Sequence, residues 1–213
     1  MKLFVLGATG ATGTLFVSQA LAAGHEVKAY VRNPAKVALR KPNLVVVSGQ
    51  VDNADTLASA MVGQDAVVSM LGNGYGKVDK TLIDDSTRAL IRAAAVSGVK
   101  RLVIMSAFGV GESFTKGSWL TRFFYKRILG GVFADKARGE ARLKSSGLDW
   151  TLAYPVTLTD NPASNNIAAE PLEATPRLSG MPKISRADVA AFLLKTTVNR
   201  SFICQTVVLR PLQ

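Results

Sequence analysis

Leu3-Phe4-Val5-Leu6-Gly7-Ala8-Thr9-Gly10-Ala11-Thr12-Gly13, followed by a helix-like stretch to Ala23 and then by Val27-Lys28-Ala29-Tyr30-Val31-Arg32, reads as strand, glycine turn, helix and second strand. The four-residue apolar run has the length and composition of a strand buried on both faces, and Gly24 stands where a helix needs a left-handed stop. Each glycine of the turn has a separate task. Gly7 permits the tight turn, Gly10 lets backbone approach a diphosphate, and Gly13 lets the helix pack closely on its strand. The diphosphate would rest on the helix N-terminus, where unpaired N–H groups and the helix dipole favour anions, so Gly7, Thr9, Gly10, Ala11, Thr12 and Gly13 form the expected cofactor turn.

The end of the second strand selects the dinucleotide. An NAD site usually carries Asp or Glu about 20 residues past the turn to hold the ribose 2′-hydroxyl, whereas Arg there accommodates a 2′-phosphate. Tyr30, Val31 and Arg32 include no acid. Arg32 can grip a phosphate bidentately and Lys36 adds a point charge, so NADP(H) is expected in preference to NAD(H).

With 213 residues and 48% of them apolar, the chain can bury a full core, and the expectation is one domain over 1–213. No apolar run reaches the ~18 residues that span a bilayer. Met1 precedes the first strand by one residue, leaving no room for a signal peptide, and the sole Cys204 gives no disulfide framework. A cytoplasmic protein that does not enter membranes is expected. The net charge of +11 is dispersed apart from a local group at Arg122, Lys126 and Arg127, and no nucleic-acid motif accompanies it. It fits anionic small molecules and solubility better than nucleic acid.

Further along, short apolar runs at 43–49, 66–71, 102–105 and 150–155, with a last one at 205–209, alternate with helical patterns at 55–62, 81–97, 135–146 and 185–198. Gly98 and Gly147 stop two of these helices and Ser185 caps the last, with Asp188 at its positive end. Strands alternating with helices give an α/β fold of Rossmann type: a doubly wound, mainly parallel sheet with helices on both faces. Residues 107–134, which contain the aromatic run Trp119 to Tyr125, and the proline-rich 156–183 interrupt this alternation. They are expected to form a substrate-side lid over the carboxyl edge of the sheet, with one short strand in the second.

The chain resembles the NmrA-like group of atypical short-chain dehydrogenase/reductases, the group that contains the biliverdin-IXβ/flavin reductases. The likeness rests on Gly7 to Gly13, Val31-Arg32, Gly63-Gln64-Asp65-Ala66-Val67, Leu71-Gly72, Ser106-Ala107-Phe108, Ser146-Gly147-Leu148 and Ile184-Ser185. It implies an open NADP(H) site completed by Gln50 and Val51 near the adenine, by Leu71, Gly72 and Asn73 after the fourth strand, and by Tyr154, Pro155, Val156 and Thr157 after the sixth. It also implies hydride transfer to a planar acceptor: a flavin, a biliverdin-like tetrapyrrole or a quinone. A monomer or weak dimer is expected. The other reading is a non-catalytic, redox-sensing regulator that binds NADP(H), as some NmrA-like proteins are.

Ordinary short-chain dehydrogenases use Tyr-x-x-x-Lys, in which Lys lowers the phenol pKa. That motif is absent, which disfavours alcohol oxidation and sugar epimerisation. Reduction of a flavin needs less, because N5 takes hydride directly and solvent can supply the proton. Ser106, at the end of the fifth strand, can orient substrate or nicotinamide, and Lys136 can bond the nicotinamide ribose or protonate substrate. These two are the candidate catalytic residues. Cys204 reads as a small buried apolar residue, and one His with one Cys makes no metal site.

Overall fold

A computed structural model describes residues 1–73, 79–117 and 130–212. The core begins with β1 (Lys2–Leu6), in which Leu3, Phe4, Val5 and Leu6 are all fully buried, as a strand covered on both faces requires. α1 (Ala11–Ala22) and β2 (Glu26–Val31) complete the first βαβ unit, and β2 pairs parallel to β1. Then come β3 (Leu44–Ser48), α2 (Ala54–Met61), β4 (Ala66–Ser69), α3 (Leu82–Ser97) and β5 (Arg101–Met105). The second half holds α4 (Gly130–Lys144), β6 (Asp149–Pro155), β7 (Thr157–Thr159), β8 (Ile167–Pro171), β9 (Lys183–Ser185), α5 (Arg186–Val198) and β10 (Gln205–Pro211).

The main sheet runs β3-β2-β1-β4-β5-β6-β10-β8, parallel throughout except where β8 pairs antiparallel with β10. α1 and α5 pack together, as do α2, α3 and α4, which gives the doubly wound arrangement. β1 and β4 are neighbours whose connections leave in opposite directions, so a crevice opens beyond their carboxyl ends.

Local chemistry sets several of the boundaries. Asn53 caps α2, its Oδ1 accepting from the N–H groups of Asp55 and Thr56 at 3.1 Å. Gly98 ends α3 with φ +78°, the left-handed conformation that a side chain disfavours. Ser185 caps α5 by accepting from Asp188 N–H at 3.0 Å, as its position in the sequence predicts.

Three readings change. The helix expected from Asp135 already includes Gly130 and the residues between, where the described part of the chain resumes. The excursion 156–183 carries β7, β8 and β9 rather than one strand, with β7 and β9 forming a small parallel ribbon. Cys204 is exposed, not buried, in a tight loop where Arg200, Phe202 and Cys204 all have positive φ near +55°. Of the 107–134 segment, 111–116 forms a 3-10 turn and 130–134 opens α4, while the aromatic run 119–125 and the basic group at 122–127 lie outside the described residues.

Candidate dinucleotide cleft and a buried carboxyl cluster

The glycine turn is shaped by its own backbone. Gly7 takes φ +79°, and a Cβ there would stand 2.6 Å from the carbonyl oxygen of Met70. A Cβ on Gly13 would lie 2.0 Å from the Gly7 carbonyl oxygen, so α1 can start this close to β1 only without a side chain at 13. Gly10 differs: its φ of −77° suits any residue, and it is exposed. It is the N-cap of α1 yet offers no side-chain cap, and no acidic residue sits in the first turn. The helix therefore presents its positive end and free N–H groups to the cleft.

The cleft beyond this turn measures about 510 Å³, within the range of ligand sites of roughly 300–1,000 Å³. Gly7, Thr9, Gly10 and Ala11 form its floor, and Val31, Arg32, Lys36 and Val51 one wall. Met70, Leu71, Gly72, Asn73 and Leu82 form the other. Arg32 and Lys36 are exposed at the mouth. Asp79 lies on the same side; hydrogen bonds from Thr81 hold its carboxyl below the usual range, and the Arg32 charge adds to that. The Nδ2 donor of Asn73 is buried without a hydrogen-bond partner among the described residues, while its Oδ1 accepts from Asp79 N–H at 2.7 Å. An uncapped helix end, two cations and an unused amide donor suit an anionic, ribose-bearing group.

Other expected cofactor residues sit elsewhere. Thr12 and Gly13 are buried under the turn. Gln50 is exposed outside the cleft lining, and its carbonyl accepts from the Tyr30 hydroxyl at 3.2 Å. Tyr30 also bonds Thr56 Oγ1 and fills the space a Cβ on Gly49 would need. Pro155 and Val156 are buried at the end of β6, and Thr157 is half-buried on β7.

Ser106 and Lys136 are brought together by the fold. Both line a small, partly open cavity of about 10 Å³, roughly room for one water, between β5, α3 and α4. Leu71 lines both this cavity and the larger cleft. The sequence reading missed the centre of the cluster, Glu140. Its Oε1 accepts from Ser106 Oγ and its Oε2 from the Tyr154 hydroxyl, and all four residues are buried. Burial pushes the Glu140 carboxyl above the usual range, although the hydroxyls of Ser106 and Tyr154 and the charges of Lys136 and Lys144 pull it down. Burial likewise lowers the Lys136 ammonium, against the pull of Glu140 and Asp135. Tyr154 is driven upward by burial and then by the neighbouring Glu140 charge, which removes its phenol from acid–base work near neutrality.

α4 reaches this depth because Gly139 lets it touch α3: a Cβ there would sit 3.0 Å from Ile83 O and from Thr87 Oγ1. One turn earlier, the fully buried Asp135 carboxylate caps α3 from outside that helix, accepting from Ile83 N–H at 2.8 Å and Asp84 N–H at 3.1 Å. His25 lies far from both, near the N-terminus, with Nδ1 3.2 Å from the Met1 amine. No group of metal-ligating side chains occurs among the described residues.

Sheet order, glycine turn and cleft together define a Rossmann fold of the dinucleotide-binding kind. The chain belongs to the NAD(P)H-binding family, whose match runs over residues 7–200.

Among its relatives, an uncharacterized sugar epimerase, YhfK of Bacillus subtilis, is 30% identical over 95% of this chain and 92% of its own. A (4-alkanoyl-5-oxo-2,5-dihydrofuran-3-yl)methyl phosphate reductase of Streptomyces griseus is 30% identical over 76% of this chain. This chain spans 50% of that enzyme, and 64% of a chloroplastic relative from Arabidopsis thaliana. Two solved structures share the fold. The anaerobilin reductase ChuY of Escherichia coli superimposes with TM-score 0.81 at 22% identity over 99% of this chain and 97% of its own. A Veillonella parvula short-chain dehydrogenase/reductase in complex with NADP gives 0.80 at 14% identity over 98% and 94%. No helix among the described residues is long and apolar enough to cross a membrane.

Proposed function

We propose that the protein is an NADPH-dependent reductase that passes hydride to a planar acceptor, a flavin, a biliverdin-like tetrapyrrole or a quinone. The observation that carries this reading is the adjacency of the two parts of the site: an anion-binding cleft with Arg32 and Lys36 at one end shares Leu71 with the cavity of the buried cluster of Ser106, Lys136 and Glu140. Bound NADPH supplies hydride; the chain's residues bind, orient and manage the proton. Gly7, Thr9, Gly10 and Ala11 are assigned to the diphosphate, Arg32 and Lys36 to the 2′-phosphate, and Val51 to the adenine side. Leu71, Gly72 and Asn73 are assigned to the nicotinamide half. The segments 107–117 and 156–183 are the described parts of the lid proposed over the acceptor.

Epimerisation, suggested by the name of the Bacillus relative, is a poorer match. It requires a titratable phenol four residues before the active lysine. Here that position, four before Lys136, is Val132. Tyr154, the phenol near Lys136, is committed to Glu140. Reduction of an acceptor that becomes an anion on accepting hydride needs only a proton source, and the similarity to a tetrapyrrole reductase favours that class.

Steady-state oxidation of NADPH with FMN, FAD, biliverdin and menadione as acceptors tests the reading. Turnover well above the uncatalysed background with at least one is expected. Tight NADP(H) binding with no turnover of any acceptor would refute it and leave the redox-sensing regulator.

A further inference from the structure

We propose that Glu140 is a proton-relay residue, which hands its carboxyl proton to Ser106 as the Ser106 hydroxyl proton passes to the reduced acceptor. This rests on the reductase reading, and it gives the site a directed proton path in place of the missing phenol.

The structure joins Ser106 to Glu140 with the serine hydroxyl as donor; in the relay the carboxyl is protonated, the direction of that contact reverses, and Ser106 Oγ becomes the acceptor. Ser106 follows the last residue of β5, at the carboxyl edge of the sheet, and lines the small cavity that shares Leu71 with the cleft; its hydroxyl bonds the Glu140 carboxyl. Glu140 is buried, so its proton reaches solvent only through its neighbours. Its polar neighbours are Ser106 just after β5, Tyr154 from β6 and Lys136 on the same helix, around the one-water cavity that Ser69 of β4 and Ser86 and Thr87 of α3 also line. The balance closes. Bound NADPH would supply the hydride and be the reductant, and an acceptor that had taken it up would be an anion. The anion takes the Ser106 proton as the Ser106 oxygen takes the Glu140 proton. The carboxylate left behind is held by the Tyr154 hydroxyl, already within bonding distance, and by the Lys136 charge one helical turn away, until solvent returns a proton through the cavity.

A carboxyl that must be protonated to serve has to be kept from ionising, and the surroundings act in that direction. Burial is the largest influence on Glu140 and favours its neutral form. The charged groups facing the cluster among the described residues are Lys136 and Lys144 on α4 itself and Glu112 in the 111–116 turn, which acts on Tyr154; α3 faces it with the neutral Ile83, Ser86 and Thr87. Asp135, the other nearby carboxylate, is occupied in capping α3. A purely structural Glu140, stapling α4 to β5 and β6, would share the hydrogen bonds but has no need of an ionisation tied to turnover.

Two measurements separate these roles. Infrared difference titration of the protein without cofactor, with Glu140→Gln as the blank, reads the carboxyl itself; a midpoint above the ~4.3 of an ordinary glutamate is expected, and one at or below it overturns the relay. With the best acceptor of the panel above, Glu140→Gln should lower kcat by about 10²-fold or more while the KM for NADPH stays within about three-fold. It should also abolish the fall in kcat/KM that wild type shows as pH rises through the Glu140 pKa. Tyr154→Phe removes a hydrogen bond that favours the ionised form, so it should shift that limb to higher pH with little loss of kcat. If Glu140→Gln does not fold, Ser106→Ala interrupts the same path and should give the same loss. A folded Glu140→Gln within about three-fold of wild-type kcat and with the same alkaline limb refutes the relay alone. A wild type inactive with every acceptor refutes the reductase reading and the relay with it.

Discussion

Two glycines three residues apart should respond oppositely to the same substitution, and the contrast tests whether the turn is built for a ligand or merely for the fold. In Gly13→Ala the new methyl meets the Gly7 carbonyl oxygen at 2.0 Å, well inside contact, and the obstacle is backbone. Relief requires α1 to shift off β1. Overpacking of this kind costs about 1–3 kcal/mol, and the helix-propensity gain of Ala over Gly, roughly 1 kcal/mol, offsets part of it. With the contact this short we expect the upper end, a net loss of about 2 kcal/mol and a fall in Tm of roughly 4–8 °C for a chain of this size. In Gly10→Ala the φ is ordinary and the nearest atom, again Gly7 O, is 3.3 Å away, so stability should change by no more than about 0.5 kcal/mol. Yet residue 10 lines the cleft where a diphosphate would approach backbone. A methyl there should weaken NADPH about ten-fold or more, some 1.4 kcal/mol. Urea denaturation and fluorescence titration with NADPH, run on both variants, decide the matter. If Gly10→Ala kept full affinity while losing as much stability as Gly13→Ala, the assignment of the turn to the cofactor would be wrong.

Arg32→Ala should weaken NADPH by roughly ten- to a hundred-fold, the worth of a charged hydrogen-bond pair at about 1.5–3 kcal/mol, and NADH far less; equal losses by calorimetry would remove the 2′-phosphate from Arg32. Asp135→Ala leaves the Ile83 and Asp84 N–H groups without their carboxylate and should destabilise the protein by about 2–4 kcal/mol in urea, whereas a change below about 1 kcal/mol would show that the α3 cap is dispensable. Burial pushes the Asp188 carboxyl up, but hydrogen bonds from the Ser164 and Asn165 backbone and the Ser185 and Ser164 hydroxyls outweigh it, so its folded pKa lies below the unfolded value of ~3.9. The unfolded chain then binds the extra proton, and Asp188's contribution, complete above that pH, should be lost as pH falls through the folded pKa. Asp188→Asn should accordingly flatten the decline of the urea midpoint below about pH 4, and a decline as steep as wild type would contradict the shift.

The first βαβ unit and its glycine turn were legible because most of their determinants are local. Gly10 and Gly13 act on the backbone of Gly7 and Ala8, Arg32 follows directly from the end of β2, and a fully buried parallel strand has to be an apolar run; the further constraint on Gly7, from the Met70 carbonyl, is long-range. The alternation of strands and helices pointed to a doubly wound, mainly parallel sheet, since right-handed crossovers leave few alternatives, while the strand order came from the structure. β8 escaped detection because nothing in Ile167-Ala168-Ala169-Glu170-Pro171 specifies an antiparallel partner on β10 thirty-six to forty-four residues later. Cys204 was misplaced for a similar reason: its exposure follows from a tight loop of left-handed residues that hydrophobicity does not reveal. In the run Lys136-Ala137-Arg138-Gly139-Glu140-Ala141-Arg142, Glu140 looks like one more charge on a solvated helix face. Only tertiary structure decided otherwise. Gly139 lets α4 close on α3, which buries the Glu140 carboxyl and carries it to two hydroxyls, thirty-four residues before it in Ser106 and fourteen after it in Tyr154. Burial and long-range hydrogen bonding, which a sequence does not display, turned a surface-like residue into the centre of the site.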